Sequence, residues 1–170
     1  MRKLKKQVRF TVTAGIIAAL YALLTYLSAT LGLAYGPVQF RLSEGLCVLA
    51  AATPAAIPGL TIGCLVSNLS SPFGVIDIVF GAVATLIAAW AGYQFRQVKA
   101  WGFPIVTMLA PVVANAILVG AEQALIFTAP DAAWPAFWMT ALWVAVGEIA
   151  VCVVLGGGVW SVAQKIDILK

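Results

Sequence analysis

Long apolar runs, broken at few points by charge, constrain this chain more than any other feature. They can be drawn at about 10–33, 42–53, 55–70, 75–95, 104–127 and 136–161. A helix needs roughly 20 apolar residues to cross a bilayer, and the first, fourth, fifth and sixth runs reach or approach that length. The second and third are short and punctuated by Pro54, Pro58 and Gly59. Shortened helices at membrane depth are tolerated only where they are buried in protein or line a cavity, so a cavity is expected beside them. A mean hydropathy of +1.04 and only 9% charged residues place the chain in the membrane class. The expected fold is an all-α integral membrane protein, with residues 1–170 forming one compact bundle of six transmembrane helices.

The same numbers exclude several functions. With 170 residues there is no room for a nucleotide-binding domain beside the bundle, and no G-x-x-x-x-G-K-[ST] loop occurs. ATP-driven work would belong to a partner. The chain has no histidine, so a metal-hydrolase motif such as H-E-x-x-H is impossible, and no cofactor is expected. Cys47, Cys64 and Cys152 are odd in number, widely spaced and set in apolar runs. They read as small core residues, neither a disulfide framework nor a metal site.

The net charge of +4 is not a nucleic-acid signature, because the positive residues gather at membrane edges. Arg2, Lys3, Lys5, Lys6 and Arg9 open the chain, Arg96 and Lys99 lie between the fourth and fifth runs, and Lys165 and Lys170 close it. The loop near Thr128–Pro135 carries Asp131 and no basic residue. Six spans put all three basic sites on one side, so both termini are expected in the cytoplasm. Arg41, in the first outer connection, is the exception. The first run is longer than the roughly 7–15 residues of a signal-peptide core, so it is read as a retained helix.

Glu122 and Glu148 stand alone as charged residues within Val112–Phe127 and Phe137–Gly156. A carboxylate at bilayer depth costs roughly 2.5–3.5 kcal/mol on insertion scales, and normally faces a bundle interior or a substrate pathway. Counting along antiparallel helices puts Asn115 and Glu148 at similar depth near the bilayer centre, with Glu122 two turns farther out. Trp138 and Trp143 lie near the depth of Glu122. The plain alternative is that Asn115 and Glu148 bond across two helices. In the connection Tyr35–Gly45, Gly36-Pro37 is expected to break the first helix. Gln39, Arg41 and Glu44 are candidate ligand contacts there, although Arg41 and Glu44 could instead pair locally. Asn68 could face the cavity, while Asp77 reads as the cap of the following helix. Ala14, Ala18 and Ala22 form a small-residue stripe suited to close helix contact, either within the bundle or with a partner.

These residues also carry a family resemblance, running from about Ala18 to Leu155. Its most specific blocks are Gly36-Pro37-Val38-Gln39-Phe40-Arg41-Leu42-Ser43-Glu44 and Thr53–Leu60, joined by Ile62–Asn68, Ile76–Gly81 and Gly147-Glu148. The chain resembles the QueT family of queuosine-precursor transporters, among the substrate-binding S components of energy-coupling factor (ECF) transporters. That resemblance implies an S-component-like bundle with a ligand pocket near the outer face, under the first loop. It implies as partners a membrane T component and two ATP-binding-cassette ATPases, with an Ala-x-x-x-Ala motif on the first helix touching the T component. Ala14-x-x-x-Ala18 and Ala18-x-x-x-Ala22 both match, so the register is open.

The implied substrate is a 7-deazaguanine such as preQ1, preQ0 or queuine. Its edge offers an N–H and an amino group that a carboxylate can accept together. Asn115 could read the neighbouring carbonyl, and Trp138 or Trp143 could stack on the ring. The expectation is a substrate-capture subunit of an ATP-driven importer in the cell membrane. The rival within transport is a stand-alone secondary carrier or facilitator for a small nucleobase- or vitamin-like solute. A membrane enzyme based on carboxylate or cysteine chemistry, and a pure scaffold subunit, are the readings from other classes. The intramembrane carboxylates argue against a scaffold.

Overall fold

The structure, a computed structural model, describes residues 2–34 and 38–166. Its elements in chain order are α1 (Arg2–Thr30), a 3₁₀ helix (Leu42–Ala51), α2 (Ala56–Asn68), α3 (Val75–Gln94), α4 (Ile105–Ile126) and α5 (Ala133–Ala163). All six expected helices are present, and the described residues hold no β-strand beyond one isolated bridge between Ala100 and Phe103. Four of them, Lys3–Thr30, Val75–Gln94, Ile105–Ile126 and Ala133–Ala163, are long and apolar enough to cross a membrane.

The α1 helix begins earlier than its apolar run because Lys and Arg are good helix formers and continue it toward the N-terminus. It also ends earlier than expected, and not at Gly36-Pro37, a pair outside the described residues. Gly32 adopts φ +72°, its N–H reaches the Ala29 carbonyl at 2.9 Å, and the Leu33 N–H reaches the Ser28 carbonyl at 2.8 Å. This is a Schellman cap, which satisfies the last carbonyls and needs a left-handed residue that glycine supplies without strain.

The segment 42–51 is a 3₁₀ helix, ten residues long, although such runs usually stop after three or four. Tertiary packing holds it. Residues Ser43 to Ala50 are all buried, and the element touches every one of the five α-helices, so it is the axis around which the bundle closes. At about 2.0 Å rise per residue, ten residues of 3₁₀ helix cover roughly the 20 Å that thirteen residues of α2 cover at 1.5 Å.

The α1 and α2 helices run parallel and very close. A Cβ on Gly59 would sit 2.8 Å from the Ala14 carbonyl oxygen, and one on Gly63 would sit 2.8 Å from that of Ala18. The alanine stripe is therefore used inside the bundle: Ala22 is buried, and Ala14 and Ala18 are half-buried against α2. Within the bundle the stripe thus packs on α2, the contact read as the alternative to a partner. The reason is a matching small-residue pair, Gly59-x-x-x-Gly63, on α2.

The two ends of the bundle differ in chemistry. One half is apolar, with Ile17, Leu46, Leu49, Ala50, Ala56 and Leu60 packed together among its buried core. At that end Trp160 Nε1 donates to the Gly102 carbonyl at 3.0 Å, tying α5 to the α3–α4 connection. At the other end the Phe73 and Phe127 rings meet at 5.4 Å, joining the α2–α3 and α4–α5 connections. Beneath that second end lie the buried polar residues Arg41, Glu44, Asn68, Asp77, Asn115, Glu122 and Glu148.

Candidate ligand site

The polar cluster grows from positions that helical geometry alone fixes. Asn115 and Glu122 are seven residues apart on α4, which places them on one face about 10 Å apart along the axis. Glu148 lies midway along α5, and Asn115 Nδ2 donates to its Oε1 at 2.6 Å. The depth matching of these two residues on antiparallel helices is therefore observed. So is the interhelical bond read as the plain alternative for Asn115. Glu148 Oε2 and both carboxylate oxygens of Glu122 have no hydrogen-bond partner among the described residues, and each residue is 1% exposed. Acceptors left in that state cost roughly 1–3 kcal/mol each, more when charged.

Arg41, just ahead of the 3₁₀ helix, is buried and faces α3. Its Nη2 stands 3.8 Å from Asp77 Oδ1, and its Nε donates to the Ala34 carbonyl at 3.3 Å. The expected local pair of Arg41 with Glu44 gives way to this longer-range one. Glu44 instead accepts hydrogen bonds from the Tyr21 hydroxyl and from Cys47 Sγ, the latter at 3.2 Å. Both of its oxygens are thus occupied by neutral donors. A few ångströms on, Thr25 Oγ1 donates to Ser43 Oγ at 2.7 Å, so α1 and the 3₁₀ helix share a small buried polar seam.

Asp77 is not the cap of α3. The capping position is Gly74, with no side-chain hydrogen bond, and Asp77 is buried at 2% exposure against Arg41. Its backbone carbonyl accepts from Asn68 Nδ2 at 3.1 Å, leaving Asp77 Oδ2 and Asn68 Oδ1 unpartnered. Direct contacts thus join Arg41, Asp77 and Asn68 in one group and Asn115 with Glu148 in another. Gln39 is buried beside the second. A Cβ on Gly147 would collide with the Gln39 backbone carbonyl, so the segment around Gln39 lies directly across α5, one residue from Glu148.

Trp138 and Trp143 stand apart from this cluster. They are 58% and 41% exposed, and Trp138 packs with Trp134 and Phe137 in an aromatic group near the start of α5. Such rings suit the membrane interface, where an amphipathic aromatic has one apolar and one wet neighbour. The structure does not bring them to the polar cluster on which they were expected to stack a ligand. Sequence reasoning missed Tyr21 and underrated Asp77. The available signal for Tyr21 was its helical spacing with Thr25 and Ser28, three polar side chains along one face of an otherwise apolar helix.

A buried, acceptor-rich cluster at one end of a membrane bundle, under a loop, is what a small-solute carrier needs. The chain matches the family described as "QueT transporter" over residues 11–165. It belongs to the QueT transporter family. Over 76 residues it is 42% identical to the "Queuosine precursor transporter QueT" of Lactococcus lactis subsp. cremoris (strain MG1363), a stretch covering 45% of this chain and 44% of that relative. The similarity thus spans less than half of the relative's length. No solved structure matches. Membership of QueT, a family of transporters, agrees with the non-enzymatic reading, and with the apolar helices it makes the chain a membrane protein.

Proposed function

We propose that this chain is the substrate-binding S component of an ECF-type importer, capturing a queuosine precursor of the 7-deazaguanine class at the outer face of the cell membrane. The observation that carries this reading is the pair Glu122 and Glu148, buried within apolar helices with three carboxylate oxygens that have no partner among the described residues. The printed name of the Lactococcus lactis relative points to the same solute class. In this reading Glu148 accepts the N–H and amino group along the guanine-like edge, a charge-assisted paired contact. Asn115 is a positioning residue that fixes Oε1 and so sets the plane of the carboxylate. The segment carrying Gln39 and Arg41 closes over the bound solute, with Arg41 tying it to Asp77.

The topology in this reading is multi-pass, with both termini and the α3–α4 connection cytoplasmic, following the Lys and Arg placement. A membrane T component and two ATPases supply the energy for reorientation. The T component meets the cytoplasmic half of α1, which presents half-buried Ala14 and Ala18 and, on the face of Thr13, Ile16 and Leu20, an apolar groove of about 640 Å³. That groove is walled by α1, the 3₁₀ helix and α5, with Ile16, Leu20, Leu46, Val154, Val159 and Val162 among its lining.

Titration of the purified protein with 7-deazaguanines, beside common vitamins, tests the substrate class. Saturable binding of the deazaguanines alone is expected, and binding of none of them overturns the assignment. Uptake in vesicles should then require ATP and the partner subunits. Accumulation driven by an ion gradient, without ATPases, would instead identify a stand-alone secondary carrier.

A further inference from the structure

We infer that the groove between α1 and α5 seats an acyl chain of an anionic phospholipid, whose phosphate is met by Lys6 and Lys165 at the rim. The inference concerns the chain on its own and does not depend on which solute the polar end takes. It starts from how the groove is made. Helices α1 and α5 barely meet, and each packs on the 3₁₀ helix instead. That short element forms a floor sunk between two long walls. Leu46 and Leu49 on the floor are buried, while Ile16 and Leu20 on one wall and Val154 and Val162 on the other are exposed. Thr13, at one end, is the only polar side chain in the lining among the described residues.

Length selects the kind of occupant. The lining stretch of α1 runs from Thr13 to Leu24, about 16 Å at 1.5 Å per residue. That is about half of a hydrocarbon core roughly 30 Å thick, the depth of one leaflet and so the reach of one acyl chain. Bulky branched side chains line it, and a flexible chain fits between them by bending. Charge selects the headgroup. On α1 the lining residues Leu20 and Thr13 continue at seven-residue spacing to Lys6, and Leu24 and Ile17 continue through Phe10 to Lys3. Residues so spaced share a helix face, so both exposed lysines extend the groove past Thr13. On the opposite wall Lys165, also exposed, directly precedes the lining residue Ile166. A lysine stem lies along apolar surface while its ammonium stays among headgroups, and basic pockets between transmembrane helices bind acidic headgroups. The described carboxylates do not compete for these lysines. Glu44, Asp77, Glu122 and Glu148 lie under the other end of the bundle, and Asp131 is in the α4–α5 connection; Asp167 is outside the described residues.

The test titrates the full-length purified chain, in mild detergent, with palmitoyl-oleoyl phosphatidylglycerol and with the phosphatidylcholine bearing the same chains, read by native mass spectrometry. A basic residue near an anionic headgroup is worth about fivefold in affinity, so the two lysines should give the parent about a thirtyfold preference for phosphatidylglycerol. Replacing both, Lys6→Gln with Lys165→Gln, should bring phosphatidylglycerol down to the level of phosphatidylcholine, and retained phosphatidylcholine binding shows that the chain is folded. Val154→Trp and, from the other wall, Leu20→Trp should each weaken both lipids in parallel, because the ring takes the place of the acyl chain. Equal affinity of the parent for the two lipids, or a preference that survives loss of both lysines, overturns the inference. Undiminished binding of both lipids in the tryptophan variants overturns it too, by moving the lipid elsewhere. A lipid-free dimer that dissociates in Val154→Trp assigns the groove to a second copy of the chain and has the same consequence. The lysine pair leaves the groove intact, so it decides the matter even where a tryptophan disturbs folding.

Discussion

Glu44 and Glu122 are buried to the same extent, 1% exposed each, yet their surroundings assign them opposite tasks. Glu44 is enclosed by a hydroxyl and a thiol that fill its acceptors, and it fastens α1 to the 3₁₀ helix. Glu122 accepts from none of the described residues. A residue so placed lowers stability by itself, which is why Glu122 is proposed to meet the ligand. Glu148 stands between the two, half satisfied by Asn115. Replacing Glu148 with Gln keeps the size and removes the charge, and should weaken deazaguanine binding by about 2–5 kcal/mol, whichever group the ligand carries at position 7. Calorimetric titration of the variant reads this directly. Unchanged affinity for every deazaguanine would make Glu148 a structural partner of Asn115 and nothing more.

At the scale of elements, the connection between α1 and the 3₁₀ helix is the part most tightly governed by small residues. Gly147 gives up a side chain so that the backbone at Gln39 can lie on α5, next to the residue proposed to read the base. Adding one methyl group there displaces the segment that carries Gln39 and Arg41 while leaving the helix-borne side chains Asn115, Glu122 and Glu148 in place. Gly147→Ala is therefore expected to accelerate ligand release by about tenfold or more, equivalent to about 1.4 kcal/mol, with little change in association. Stopped-flow release kinetics measure it, and an unaltered release rate would show that this segment does not hold the ligand in. The α1–α2 contact follows the same logic in reverse. Ala14 and Ala18 meet Gly59 and Gly63 with backbones nearly touching, and such close approach lets dispersion replace the hydrophobic drive that lipid does not supply.

For the whole molecule, the proposed orientation makes a simple prediction. A single cysteine placed at Asp131, an exposed position in the α4–α5 connection, in a chain whose own cysteines are replaced, should react with a membrane-impermeant thiol reagent from outside the cell. Labelling from the cytoplasmic side alone would invert the topology and move the polar end of the bundle inward. The class of fold and the presence of six helices were legible in the sequence, because the free energy of entering lipid is summed over contiguous residues and composition along the chain records it. The Asn115–Glu148 match was legible too, since helical rise alone sets depth. What lay beyond the sequence was rotation and crossing: which face of each helix turns inward and which distant segment meets it. That decided that Arg41 pairs with Asp77 and not with Glu44, that Glu44 is taken by Tyr21, 23 residues away, that Trp138 and Trp143 face outward, and that the alanine stripe is spent on α2. Each of these depends on the packing of several helices at once, and no local stretch of sequence carries that information.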